Sequence, residues 1–280
     1  MTQHYTENDP LITPRTLAAD LERIGLRAGQ TLIVHSSLKK IAGTGFVVGG
    51  AQAIIEALQA VLTPRGTLAM PTHNTSNTDP AAWSRPPVPE SWWETIRAEW
   101  PAYDPRKTQT SGMGVIPELF RSYPDVLRSG HPTASFAAWG ANAAYITSGD
   151  PLASDAGPDS TIGRVHELDG YVLLLGVGHF NNTTLHYAEH LAEWPDKQGE
   201  DEIAPMLIND KRERVTIHHR SIDNTDFPAL GAAYEAAHPD ALNIGVVGTA
   251  ESRFMRSRPL VDFGVSWMAA NRPGSLTVHE

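Results

Sequence analysis

The chain reads as an α/β protein with a central mixed, largely parallel sheet flanked by helices, and three observations predict it. An apolar run, TLIVHSSL from Thr31, is followed by an amphipathic stretch carrying Ile54, Ile55, Leu58 and Leu62, and then by a second apolar run, GTLAMPT from Gly66. Strand, helix and strand at this spacing make a βαβ unit, whose crossover returns the chain parallel to its first strand. A third run, YVLLLGV from Tyr171, is apolar without alternation, as expected of a strand covered on both faces. With 280 residues, 41% of them hydrophobic and 19% charged, the chain can build a sizeable core, and residues 1–280 are read as one domain.

Each element has its own local signal. Thr13 and Pro14 precede RTLAADLERIG, a helix with Thr13 as N-cap, Leu17, Leu21 and Ile24 on one face and Gly25 as its stop. Gly49-Gly50 open the helix that bears Ile54 and Leu58. Residues 72–107 are polar and proline-rich, with Trp83, Trp92, Trp93 and Trp100 interleaved. They are expected to be an ordered insertion, because four wet tryptophans would expose a large apolar area. VIPELFRSYP from Val115 reads as a short helix, TTLHYAEHLAEW from Thr183 as a helix, and RVTIHH around Val215 as a strand. FPALGAAYEAAH and LVDFGVSWMAAN supply the last two helices, and no repeat is present.

Composition excludes several classes of function. There are no cysteines, hence no disulfides, thiolate metal sites or cysteine nucleophiles. The net charge of −10 disfavours nucleic acid and anionic lipid and favours cations, although acidity also serves solubility alone. No apolar run approaches the roughly 18 residues that cross a bilayer, and MTQHYTENDP lacks the features of a signal peptide. The expectation is a cytoplasmic protein with neither membrane nor nucleic-acid partner.

Chemistry concentrates where the third strand meets its helix, in LLGVGHFNNTTLHYAEH, since ligand sites of open α/β sheets lie beyond the carboxyl ends of strands. His186 and Glu189 are three apart and share a helix face, so the carboxylate can orient the imidazole and stabilise its charged form. A general base is one reading of this pair; incidental polar side chains on a capped helix are another. HYAEH also matches H-x-x-E-H, in which two histidines one turn apart bind zinc. A second polar strand end, His35-Ser36-Ser37-Leu38-Lys39, precedes Gly43, Gly45, Gly49 and Gly50, yet no GxxxxGK[ST] phosphate loop is present. Nor is there a G-x-S-x-G elbow, which favours direct transfer in a ternary complex over an acyl-enzyme.

In their order along the chain, VHSSLKKIAG with VVGGAQAIIEALQAVL, GTLAMPTH, TSGMGVIPELFRSYPDVLRSGHPTASFAAWG and IGRVHELDGYVLLLGVGHFNNTTLHYAEH resemble the aminoglycoside 3-N-acetyltransferase (antibiotic N-acetyltransferase) family. GVVGTAESRFMRSRPLVDFGVSWM extends the resemblance toward the C-terminus. It implies acetyl transfer from acetyl-coenzyme A to an amine, typically the 3-amino group of the 2-deoxystreptamine ring of an aminoglycoside, without a metal. Carried over by motif, the catalytic pair falls on His186 and Glu189. The coenzyme segments fall on His35, Ser36, Ser37 and Leu38 and on Met113, Gly114, Val115 and Ile116. Asp155, Asp159 and Asp223 become candidates for the acidic drug cleft, and donors near Thr72 and Ser36 for the oxyanion hole. His190 and the tryptophan-rich insertion are given packing roles. Coenzyme A and a cationic amine are the expected partners, with a homodimer as the assembly to test. Another amine metabolite as acceptor, a zinc hydrolase using HYAEH, and a coenzyme-binding protein without turnover are the alternatives.

Overall fold

The computed structural model describes residues 4–84, 86–195, 197–220 and 222–272. The chain opens with β1 (Leu11–Ile12), α1 (Pro14–Arg23), β2 (Thr31–Ser36), α2 (Leu38–Ala42), β3 (Phe46–Val47), α3 (Gly50–Leu62) and β4 (Thr67–Pro71). A long excursion carries α4 (Trp93–Glu99) and α5 (Val115–Phe120) before β5 (Leu127–Arg128), β6 (Phe136–Gly140), α6 (Ala143–Thr147) and α7 (Thr161–Glu167). Then β7 (Tyr171–Leu175) leads to α8 (Thr184–Leu191), β8 (Gly199–Ile208), β9 (Lys211–Arg220), α9 (Phe227–Ala237), β10 (Leu242–Val247), β11 (Ala250–Arg256) and α10 (Ser257–Asn271).

The main sheet has seven strands in the order β10-β11-β7-β2-β4-β6-β5. As the sequence predicts, it is mixed and flanked by helices, and α3 makes the crossover from β2 to its parallel neighbour β4. Its parallel part is smaller than expected: β4, β2 and β7 are parallel, whereas the pairings of β11 with β7 and β10, and of β6 with β4 and β5, are antiparallel. For β10 and β11 the reason is connection length. Only Gly248 and Thr249 separate β10 from β11, with Gly248 at φ 63°, and a two-residue link can join antiparallel strands only.

Strands buried on both faces explain the unbroken apolar runs. Leu32, Val34, Leu68 and Leu173 pack on one side against Leu17 and Leu21 of α1, Ile54, Leu58 and Leu62 of α3 and Phe120 of α5. Ile33, Val172 and Leu174 point the other way, toward Val165 of α7, Leu185 of α8, Leu230 of α9 and Val261 of α10. Successive residues of a strand face opposite sides, so both layers draw on the same short segments. α1 starts as its sequence predicts, with Thr13 and Thr16 forming a reciprocal cap and Pro14 at the first position.

Among the described residues, the tryptophan-rich stretch contacts the separate two-stranded hairpin β8–β9. Arg212 of β9 donates to the Trp100 and Arg97 carbonyls at 2.8 and 2.7 Å, while Arg97 forms a two-pronged pair with Asp79 at 2.9 Å. Trp83 and Trp100 meet edge to face at 5.0 Å, and their indole N–H groups donate to Thr78 and Asn77. The expectation that all four tryptophans are dry fails at Trp92, which is 57% exposed. Among the described residues no helix is long and apolar enough to cross a membrane.

Candidate active site

Because β2, β4 and β7 run parallel, their carboxyl ends share one edge of the sheet, and the polar residues that follow them are brought together there. His35 and Ser36 at the end of β2 sit in register with Leu174 and Leu175 at the end of β7. From Leu175 the chain turns through Gly176, at φ 70°, and a short turn at His179–Asn181 into α8. The result is a cleft onto which His35, Ser36, His73, Met113, Thr183 and His186 all open.

At its floor, His186 donates from Nδ1 to Glu189 Oε2 at 2.7 Å, one helical turn away. A carboxylate can only accept, so this bond places the ring proton on Nδ1 and leaves Nε2 without a protein partner among the described residues. Phe227 backs the ring at 4.8 Å between centroids. Glu189 is 0% exposed, and its second oxygen accepts from Arg272 Nη1 at 2.6 Å and from the Asp223 backbone N–H at 2.8 Å. Arg272 is itself held by Asp226. The buried carboxyl group is therefore hydrogen-bonded at both oxygens and fixed, as an orienting partner for an imidazole must be. His190 turns away from the cleft toward Ser154, at 3.5 Å, so the two histidines of HYAEH do not converge.

The two segments expected to hold coenzyme reach this cleft through some of their residues. His35, Ser36 and Met113 line it, and Gly112 and Pro117 flank Met113 there. Ser37 instead caps α2 by accepting from Lys40, and Leu38 packs against the core. Gly114, at φ 85°, turns the chain into α5, after which Val115 faces solvent and Ile116 is buried in the core. Of the two oxyanion candidates, Thr72 is committed to Ser135 through both its N–H and its hydroxyl. Ser36 Oγ is buried without a partner among the described residues, and so is free to donate.

Acidic side chains reach the cleft from two elements. Asp155 comes from the loop before α7, and Glu200 and Glu202 come from β8. Asp159 does not line the cleft: its side chain is 75% exposed and faces Arg164. Asp223 is also outside the lining, with its carboxylate turned back onto Thr225 N–H, and it serves the site through the backbone N–H that holds Glu189. Sequence reasoning missed Glu200, Glu202 and Arg272. The acidic run GEDE at 199–202 was the available signal for the first two, whereas Arg272 has none, standing alone after the last helix.

Charge states in the cleft follow from burial and neighbours. Burial, with His73 and His186 close by, pushes His35 down to about 3. His73 falls to about 4, again through burial, with Asp155 opposing and His131, His186 and Arg128 adding to the fall. Both rings are thus neutral at pH 7 and polar without repelling a cation. Burial acts the same way on His219, but a 3.0 Å bond to Asp155 and the carboxylate of Glu202 override it and lift this histidine to about 10. Asp155 is held at about 2: its burial is outweighed by the His219 bond and by the charge of His219.

With this geometry in hand, comparison with known proteins decides the family. The family model described as aminoglycoside 3-N-acetyltransferase matches residues 33–269. The chain belongs to the aminoglycoside 3-N-acetyltransferase family. A prophage-derived aminoglycoside N(3')-acetyltransferase-like protein of Bacillus subtilis (strain 168) is 40% identical over 92% of this chain and 93% of its own, and its crystal structure superposes with a TM-score of 0.89 at 39% identity, covering 93% and 94% of the two chains. Aminoglycoside N(3)-acetyltransferase VII of Streptomyces paromomycinus is 37% identical over 93% of both chains. Among solved structures, a binary complex of a related enzyme with coenzyme A has a TM-score of 0.81 at 29% identity, covering 95% and 98% of the two chains. A sisomicin-bound relative has a TM-score of 0.81 at 27% identity, covering 94% and 99%. As an aminoglycoside 3-N-acetyltransferase family member the chain is an acyltransferase, and its sheet, helices and cleft belong to the fold of these enzymes.

Proposed function

We propose that this acyltransferase moves the acetyl group of acetyl-coenzyme A to the 3-amino group of the 2-deoxystreptamine ring of an aminoglycoside, without a metal ion, and that drug resistance is its biological role. The observation that carries the reading is a buried His186–Glu189 pair opening onto one cleft with carboxylates on its wall. Coenzyme A and sisomicin in relatives of known structure support the two substrates. His35, Ser36, Ser37 and Leu38, with Met113, Gly114, Val115 and Ile116, are proposed as the coenzyme side, where His35, Ser36 and Met113 offer side chains and the others shape the turns. Asp155 is proposed for the acceptor side, and Glu200 and Glu202 replace Asp159 and Asp223 as its partners.

An alkylammonium of pKa near 10 is mostly protonated at neutral pH and cannot attack a carbonyl until it loses a proton. Once that proton has gone to solvent, His186 Nε2 takes a second from the neutral amine as its nitrogen closes on the thioester carbon, and the imidazolium so formed is stabilised by Glu189. A C–N bond forms, the carbonyl oxygen becomes an oxyanion, and Ser36 Oγ is the donor at hand for it. Collapse breaks the C–S bond, and the proton on His186 passes to the leaving thiolate. Thiol release from acetyl-coenzyme A, measured against aminoglycosides and simple amines, tests this. Turnover of aminoglycosides, unchanged by chelator, is expected; inactivity on all aminoglycosides with activity on another amine would overturn the acceptor, and loss of turnover with chelator would overturn the metal-free chemistry.

A further inference from the structure

The hairpin β8–β9 presents one face to the cleft. Glu200 pairs with His219 and Glu202 with Ile217 across the ladder, so all four side chains share that face, while the neighbouring pair Asp201 and His218 lies on the other. His219 is only 2% exposed, and both ring nitrogens look at carboxylates: Nδ1 at Asp155 Oδ1, 3.0 Å away, and Nε2 at Glu202 Oε1, 3.9 Å away. Neither Nε2 nor Glu202 Oε1 has a hydrogen-bond partner among the described residues. The remaining ring beside it, His131, lies 5.8 Å away between centroids and accepts from Ala134 N–H at Nδ1. With that nitrogen committed as an acceptor and the ring buried, His131 is neutral, leaving His219 as the cation between the two acids.

We infer that His219 is a positioning residue of the acceptor site: it ties the hairpin to the loop before α7 and fixes the side chains of Asp155 and Glu202 side by side, facing the cleft. A ring flanked by two groups that only accept is satisfied when both nitrogens carry protons, and the charge so created keeps a desolvated Asp155 from taking up a proton. The other groups facing Asp155 are His131, His73, His186 and, further off, His190, and none of these donates to it. Resting on the acceptor reading above, this makes the site selective for cationic amines at every pH where His219 keeps its proton.

The test is His219→Asn, whose amide N–H replaces Nδ1–H without its charge. With sisomicin as acceptor, its KM is expected to rise about tenfold at pH 6.5 and to recover toward the wild-type value by about pH 9, as Asp155 regains its charge, with kcat and the KM of acetyl-coenzyme A within about twofold of wild type. Asp155→Asn should raise the acceptor KM at every pH. An acceptor KM for His219→Asn that tracks wild type throughout would overturn the inference. Imidazole nitrogen shifts read His219 in the wild-type protein without any acceptor: a doubly protonated ring at pH 8 is expected, and a neutral ring would overturn the assignment. Wild-type inactivity on sisomicin with a doubly protonated His219 would remove the aminoglycoside reading and uphold the clamp. Should His219→Asn fail to fold, Glu202→Gln is expected to raise the acceptor KM and make the His219 ring easier to deprotonate; no change in either would count against the inference.

Discussion

His186 was readable from its spacing to Glu189, because a helix brings residues three apart onto one face whatever surrounds it. What holds Glu189 was not readable: Arg272 is 83 positions away and the Asp223 backbone 34, and these contacts exist only once the helices pack. Removing the proposed base by His186→Ala is expected to lower kcat on the order of 10²–10⁴-fold with coenzyme affinity nearly intact, measured by thiol release and coenzyme titration. His190→Ala should be mild, since that ring faces Ser154 outside the cleft. Arg272→Gln tests the support. Loss of the guanidinium leaves Glu189 buried with the Asp223 N–H as its other donor, so kcat should fall about tenfold or more while the acceptor KM moves little. An equal loss in both constants would mean that Arg272 shapes the cleft rather than the pair.

At the scale of elements, helices and doubly buried strands were legible because their patterns are local: a Thr-Pro start, a 3.6-residue apolar repeat, an unbroken apolar run. The antiparallel outer strands were not. In β8 the buried Ala204 and Met206 are separated by Pro205 and preceded by the acidic GEDE, which hides the alternation, and β5 has only two residues. Glycine spacing within α9 likewise says nothing of its packing, although the structure gives Gly231 a definite role. A Cβ there would stand 2.1 Å from the His179 ring, which is buried and bonded to Glu235 at 3.1 Å. Alanine is the better helix former by up to about 1 kcal/mol, yet Gly231→Ala is expected to destabilise the fold, because overpacking a rigid ring costs about 1–3 kcal/mol or more. A melting temperature lowered by several degrees is the expected result, and an unchanged or raised one would show that His179 yields freely.

Across the whole molecule, histidines set how stability follows pH, and they act with opposite signs. His35 and His73 are depressed from 6.5 to about 3 and about 4, so the unfolded chain binds their protons first. Their contribution is present above pH 6.5 and lost as pH falls toward those values. His131, His166, His179 and His190 shift in the same direction, each chiefly through burial, and deepen the acid limb. His219 is the histidine raised among the described residues, to about 10, and its contribution is fully present below pH 6.5 and lost as pH rises through about 10. The melting temperature should therefore peak near pH 6.5, and its decline from there to pH 9.5 should belong chiefly to one side chain. His219→Asn is expected to melt below wild type at pH 6.5 and to converge on it toward pH 9.5, because the stabilisation it lacks is the one that fades in the wild-type protein over that range, where folding must take up a proton the unfolded chain no longer holds. Melting curves of the two proteins between pH 6 and 9.5 measure this directly. A gap that stays constant with pH would mean that His219 contributes by packing and by a neutral hydrogen bond to Asp155, with no proton held between the acids.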